Sequence, residues 1–157
     1  MATINDAIVG VPSGQTMNLR KTASSSGTIL YRPSSGTKLT CDADTSDSQW
    51  IKVTSYTNTC YGMRQYIDTS ACTNPSVSNL FGGTGSSNNI RQSSTRKAVV
   101  FNLQWALKRL GYNPGTIDGI FGSGTLAAVN DYQDAKSGTH DGIVGDQTKA
   151  WLVADLG

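Results

Sequence analysis

Asp118-Gly119-Ile120-Phe121-Gly122-Ser123-Gly124-Thr125 returns 23 residues later as Asp141-Gly142-Ile143-Val144-Gly145-Asp146-Gln147-Thr148, with five of the eight positions identical. In each copy Asp-Gly makes a turn and two apolar residues plug a core. The second Gly then opens a helix whose polar first turn can satisfy free N–H groups. Upstream, Val100, Leu103, Leu107 and Leu110 recur at helical spacing, and Gly111 follows where a left-handed C-terminal cap belongs. Between the copies, Leu126, Val129 and Tyr132 continue a second helix from near Ser123, and a short third covers about Asp146 to Leu152. The repeat therefore punctuates an all-α three-helix bundle over residues 98–157.

The first 70 residues follow another period. Ala7-Ile8-Val9, Met17-Asn18-Leu19, Thr28-Ile29-Leu30-Tyr31, Lys38-Leu39-Thr40-Cys41, Trp50-Ile51-Lys52-Val53 and Tyr66-Ile67 are short β-type runs between turn clusters. Six such runs in residues 1–70 predict a small all-β barrel. Alternation places Ile51 and Val53 on the core face and Trp50, Lys52 and Thr54 on the other. Residues 71–97 hold sixteen Ser, Thr, Asn or Gly among 27 and no acid, the composition of a linker. Fully flexible, it would span about 30 Å, and Leu80-Phe81 within it are able to anchor on a neighbouring domain. The expectation is two small domains, each folding by itself, joined by this stretch.

Composition excludes much chemistry. All eleven acids are Asp and there is one His, which removes HExxH peptidases, Glu-dependent glycosidases and multi-histidine zinc sites. Neither repeat loop supplies the several oxygens calcium needs, so no metal or cofactor is expected. A net charge of +2 without a basic run argues against nucleic acid and against an anionic membrane. Apolar stretches such as Ala98-Val99-Val100-Phe101 are far too short for a membrane span. Eighteen Ser, 18 Thr and 10 Asn suit an extracellular surface, and export would require that a signal peptide has been removed. Of Cys41, Cys60 and Cys72, Cys41 reads as a small core residue and the other two as the disulfide pair.

The run Val100-x-x-Leu103-Gln104-x-x-Leu107-x-x-Leu110-Gly111-Tyr112, the two Asp-Gly repeats, Ala128-Val129-x-x-Tyr132-Gln133 and Trp151-Leu152 together resemble the peptidoglycan-binding-domain-1 family over about 98–155. That family usually has Trp directly after the last Thr, where this chain has Lys149-Ala150 before Trp151. Gly10-Val11, Asn18-Leu19-Arg20, the segment from Ser24 to Leu30, Gly36-Thr37-Lys38-Leu39-Thr40, Trp50-Ile51-Lys52-Val53 and Tyr66-Ile67 resemble the bacterial SH3 family over about 7–68, with its Gly-aromatic-Val strand altered to Cys60-Tyr61-Gly62-Met63. These resemblances imply an SH3-like barrel followed by a three-helix peptidoglycan-binding bundle. Both imply binding to bacterial cell wall, and neither implies catalysis.

Peptidoglycan offers sugar faces, amide-rich stem peptides and a few carboxylates, so a binder needs aromatic platforms, amide-type donors and an occasional cation. Candidates in the barrel are Asn18, Arg20, Tyr31, Trp50, Tyr61 and Tyr66, with Arg20 available to a stem carboxylate. In the bundle they are Gln104, Tyr112, Tyr132 and Gln133, although a buried Gln at either place can instead bridge backbone groups. His140 reads as an exposed turn residue. The expectation is a monomeric, noncatalytic wall-binding protein, or the wall-targeting part of a lysin or autolysin, secreted and wall-associated, recognising glycan, stem peptide or both. The alternative is a peptidoglycan-degrading enzyme that uses Asp118 or Asp141. Duplication of the turn argues against it, because equivalent sites show no acid and base asymmetry.

Overall fold

The computed structural model describes residues 2–157. Seven strands, β1 (Thr3–Val9), β2 (Leu19–Arg20), β3 (Ile29–Tyr31), β4 (Lys38–Asp42), β5 (Trp50–Val53), β6 (Cys60–Met63) and β7 (Ile67–Asp68), make one antiparallel sheet in the order β3-β2-β6-β5-β4-β1-β7. This corrects the expected SH3-like barrel: β3 and β7 stand at opposite ends and do not pair, so the sheet is open. Closure needs end strands long enough to meet with a staggered register, and β7 has two residues and β3 three.

A helix covers the β7 end instead. Asp68 is ion-paired with Arg109, and the neighbouring Thr69 hydroxyl donates to Asn102 Oδ1 at 2.7 Å, both partners lying on α2 (Lys97–Arg109). Covering an edge with a helix blocks pairing with other chains as effectively as closure does.

β6 is the strand that the β-type runs did not reveal, because Cys-Tyr-Gly-Met lacks branched residues. Gly62 is what lets it lie on the core: a Cβ there would fall within 3.0 Å of Ile67 Cδ1, Met17 Cε and Leu19 Cδ2. In β1 the register with β4 shifts between Ile4 and Ala7, and Asp6 takes a positive φ of 62° in that bulge. Its Oδ2 accepts from the Thr73 hydroxyl.

Cys41, Cys60 and Cys72 are all buried free thiols, so the expected Cys60–Cys72 bond is not formed. Cys60 is committed to the sheet interior, where its Sγ donates to the Val53 carbonyl at 3.8 Å. Burial pushes the Cys41 thiol up to about 12 and that of Cys60 to about 11, and both pack as small apolar groups.

Residues 71–97, read from composition as a linker, carry structure of their own. Helix α1 (Val77–Phe81) starts at a capping box made by Ser76 and Asn79 and ends at left-handed Gly82, with Leu80 and Phe81 buried. Further on, Ile90 bridges Val144 through two backbone hydrogen bonds. Helices α3 (Ser123–Ser137) and α4 (Asp146–Leu156) complete the C-terminal helical region. Lys149, standing where the family pattern has Trp, is fully buried and donates through Nζ to the carbonyls of Gly83 (2.8 Å) and Asn88 (2.6 Å). Together with Asp146, whose Oδ1 accepts from the Gly85 N–H, it latches the Gly-rich segment onto α4.

The stripe expected on the first long helix is present, yet α2 is buried on more than that stripe. Every residue from Val99 to Leu107 is buried, because α2 lies between the sheet and the other helices. Its polar members are paired across the junction: Asn102 Nδ2 donates to the Leu80 carbonyl and Trp105 Nε1 to the Arg64 carbonyl at 3.1 Å. No helix among the described residues is long and apolar enough to cross a membrane.

Candidate functional site

Four of the six candidates in the sheet converge. Asn18, Arg20, Trp50 and Tyr66 line a groove of about 280 Å³ with Met17, Met63 and Gln15. The register sets its floor: Trp50 of β5 pairs with Met63 of β6, on the face away from Ile51 and Val53. Trp50 is nevertheless only 6% exposed, whereas Tyr66 at the rim is 40% exposed. Arg20 is oriented by a hydrogen bond from Nη1 to the Gly27 carbonyl. Tyr31 and Tyr61 stand outside this groove. Tyr31 stacks on Tyr56 with centroids 4.1 Å apart, and its hydroxyl accepts from Asn58. Tyr61 sits between Arg20 and Lys52 in the register. Met17 and Met63 were not among the sequence candidates. Alternation would have shown Met63 once β6 was recognised as a strand.

In the helical region the two Gln side chains perform one task twice. Gln104 Oε1 accepts from the N–H groups of Asp118 (3.1 Å) and Gly119 (3.0 Å). Its Nε2 donates to Asp118 Oδ1, the Ile120 carbonyl and Thr125 Oγ1. Gln133 does the same to the second copy, accepting from Asp141 and Gly142 and donating to Asp141 Oδ1, the Ile143 carbonyl and Thr148 Oγ1. Each amide clamps one Asp-Gly-Ile-x-Gly turn onto the preceding helix, which is the backbone-bridging role open to a buried amide. Both amides are buried with their hydrogen-bonding capacity used inside the protein. The carboxylates of Asp118 and Asp141 are held alike, each accepting in addition from the N–H two residues on, at 2.9 Å.

Tyr132 is buried as well. Its ring meets Tyr112 edge-on at 5.4 Å, and its hydroxyl donates to Asp155 Oδ2 at 2.7 Å. Burial, reinforced by Asp155, holds the Tyr132 phenol above its ordinary range. The Tyr132 hydrogen bond, helped by Lys136, holds the Asp155 carboxyl below the usual carboxylate range. A carboxyl depressed by folding contributes stability above its unfolded value, and this contribution is lost as pH falls through the folded one. Asp155→Asn is therefore expected to flatten the loss of stability below about pH 4, read from thermal midpoints between pH 2 and 6, and an unchanged acid limb would refute the coupling.

The open surface of the helical region is a shallow groove of about 250 Å³ with Thr139, His140, Gln147 and Trp151 on its wall. His140 is exposed there and its Nδ1 lies 2.9 Å from Asp134 Oδ1. Tyr112 is half-buried at a separate depression beside Lys108 and Asn113. The groove residues Gln147 and Trp151 lie on the exposed side of α4, outside the repeated turn that drew attention in the sequence.

With this geometry in place, comparison with known proteins is specific. Residues 92–152, which hold α2, α3 and the first seven residues of α4, match the model of the peptidoglycan binding domain family. The chain is similar to a spore cortex-lytic enzyme of Bacillus cereus, 37% identical over 67 residues that cover 43% of this chain and 26% of the relative. It is also similar to a spore cortex-lytic enzyme of Bacillus subtilis (strain 168), 40% identical over 68 residues that cover 43% of this chain and 22% of the relative. The chain thus spans about a quarter of the length of these relatives. No solved structure matches it. The match to the peptidoglycan binding domain family is confined to the helical region of the chain.

Proposed function

We propose that this chain is a noncatalytic, extracellular wall-targeting unit, acting as a monomer, of the kind that directs a lysin or autolysin to peptidoglycan. In this reading residues 1–70 and 98–157 each present a binding groove, and 71–97 is the connection that joins them. The observation that carries it is the family match over the three helices, joined to an open groove at Trp151 and a second at Tyr66. Aromatic rims next to amide and guanidinium groups suit sugar faces and stem peptides together. The symmetric clamping of Asp118 and Asp141 supports a binding role over hydrolysis by these carboxylates: each has the same partners, and a general acid and base need environments that push the two apart.

Incubation with purified sacculi separates the two readings, since a binding unit sediments with the pellet and a hydrolase lowers turbidity. Tyr66→Ala is the clean probe of the sheet groove, because Tyr66 is exposed and its loss leaves the core intact, whereas truncating the buried Trp50 would cost stability. Sacculus affinity is expected to fall about three- to tenfold in Tyr66→Ala, equivalent to roughly 0.6–1.4 kcal/mol, with an unchanged circular dichroism spectrum. Unaltered affinity would remove the sheet groove from the binding surface, and clearing of sacculi by the wild-type chain would overturn the noncatalytic reading.

A further inference from the structure

A third concavity, of about 460 Å³, lies between the loop after β4 and the start of α2, and its chemistry is cationic. Arg64 forms part of its wall and is only 3% exposed. Its Nε and Nη2 donate to the carbonyls of Asp47 and Thr45, and Nη1 has no partner among the described residues. No carboxylate lies within ion-pair distance of it among those residues. Burial pushes the guanidinium down to about 10, so it remains charged at neutral pH. A desolvated cation with one free edge facing a cleft calls for an anion.

The opposite wall repeats the demand. Arg96 packs its guanidinium against Gly82, where a Cβ would come within 2.4 Å of Nη2, and bonds Asn88 through Nη1 alone. Arg96 is also the N-cap of α2, which has no side-chain cap and no acid in its first turn, and Lys97 follows. Two cations at the positive end of a helix oppose its dipole, an arrangement that an incoming negative group reverses. The one acid on the wall, Asp44, accepts the Ala2 N–H through Oδ2. The Ser46, Ser48 and Ser78 side chains line the remainder and make no hydrogen bond among the described residues, which leaves them free for amide groups.

We propose that this cleft binds a peptide through its terminal carboxylate, seated between Arg64, Arg96 and the first N–H groups of α2, with the serines receiving the preceding amides. The anion-binding chemistry stands by itself, and the choice of a peptide rests on the wall-binding reading. The test is an NMR titration of the full chain with N-acetyl-D-alanyl-D-alanine, with its C-terminal amide, and with inorganic phosphate. The acid is expected to shift the Ala98 and Val99 amides and the Arg96 Nε–H saturably, and the amide to bind at least tenfold more weakly. Arg96→Gln should lower the affinity for the acid at least tenfold, and Lys97→Gln, which breaks no internal bond, about threefold.

Equal binding of acid and amide, shifts confined to other surfaces, or no binding would overturn the proposal. Phosphate binding as tightly as the acid would reduce the cleft to a simple anion site and also overturn it. Sacculus sedimentation run in parallel keeps the two readings apart: a chain that binds the acid here but does not sediment loses the wall reading and keeps the site.

Discussion

Gln104→Leu is expected to destabilise the protein by about 3–5 kcal/mol, because each buried polar group left without a partner costs roughly 1–3 kcal/mol. Leucine keeps the volume and strands the Asp118 and Gly119 N–H groups that the amide now satisfies, while the Ile120 carbonyl keeps the Gly122 N–H at 2.9 Å. Gln133→Leu should behave alike on the second turn, since its partners are the equivalent atoms. Gln104→Glu is the sharper variant: a carboxylate still accepts the two N–H groups but cannot donate to Asp118, Ile120 or Thr125, and it sets a negative charge beside Asp118. Urea denaturation followed by circular dichroism measures the loss. A change below about 1 kcal/mol in both Leu variants would show that the amides are not the clamps and would return them to the list of ligand contacts.

The helical region was legible in the sequence because its information is local. The 3.6-residue spacing of Val100, Leu103, Leu107 and Leu110 and the duplicated Asp-Gly turn both act within a few turns of chain, and the observed α2, α3 and α4 sit where those signals place them. The openness of the sheet was not legible. Five of the six β-type runs overlap strands fully or in part and the sixth, Tyr66-Ile67, reaches β7, but closure depends on whether β3 meets β7, a contact between residues far apart in sequence. Nor was the order in residues 71–97. Composition reports how much apolar surface a segment owns, and it does not report that a lysine 60 or more residues away will take hold of the carbonyls of Gly83 and Asn88.

The candidate site divides along the same line. Residue type selects side chains whose chemistry suits a sugar or an amide, yet it is blind to whether they are free. Asn18, Arg20, Trp50 and Tyr66 share a groove because register brings β2, β5 and the turn before β7 together. Tyr132 and the two glutamines, equally suitable by type, are buried. The duplication held the clue for the glutamines: each stands on the helix before an Asp-Gly turn, 14 residues ahead of Asp118 and 8 ahead of Asp141, and a side chain paired with each copy of a turn serves that turn. Arg64 had no such signal, since nothing local distinguishes it from an exposed arginine on a strand end.

Trp105→Ala is expected to cost about 3–5 kcal/mol, the range for truncating a buried tryptophan, and to change how the molecule unfolds. The indole of Trp105 packs on Gly10, where a Cβ would come within 2.7 Å of Cη2, and its Nε1 holds the Arg64 carbonyl. Around it, Arg109 is paired with Asp68 and bonded to Ser70, and Asn102 is bonded to Thr69 and Leu80. With a junction of this kind the wild-type chain should unfold in one calorimetric transition, although its sequence reads as two units on a flexible tether. Trp105→Ala should split that transition in two, the sheet melting first, because its short strands lose the helix that covers the β7 end. Gly10→Val gives an independent check from the other side of the contact, by overpacking instead of cavity formation. Two transitions in the wild type would show that the junction does not couple the parts. The consequence for binding follows from geometry: grooves held rigidly at a fixed spacing engage a polymeric surface without the ordering cost that a loosened pair must meet. Sacculus binding by Trp105→Ala, measured below the first transition, should then lose avidity while each groove keeps its own weak affinity.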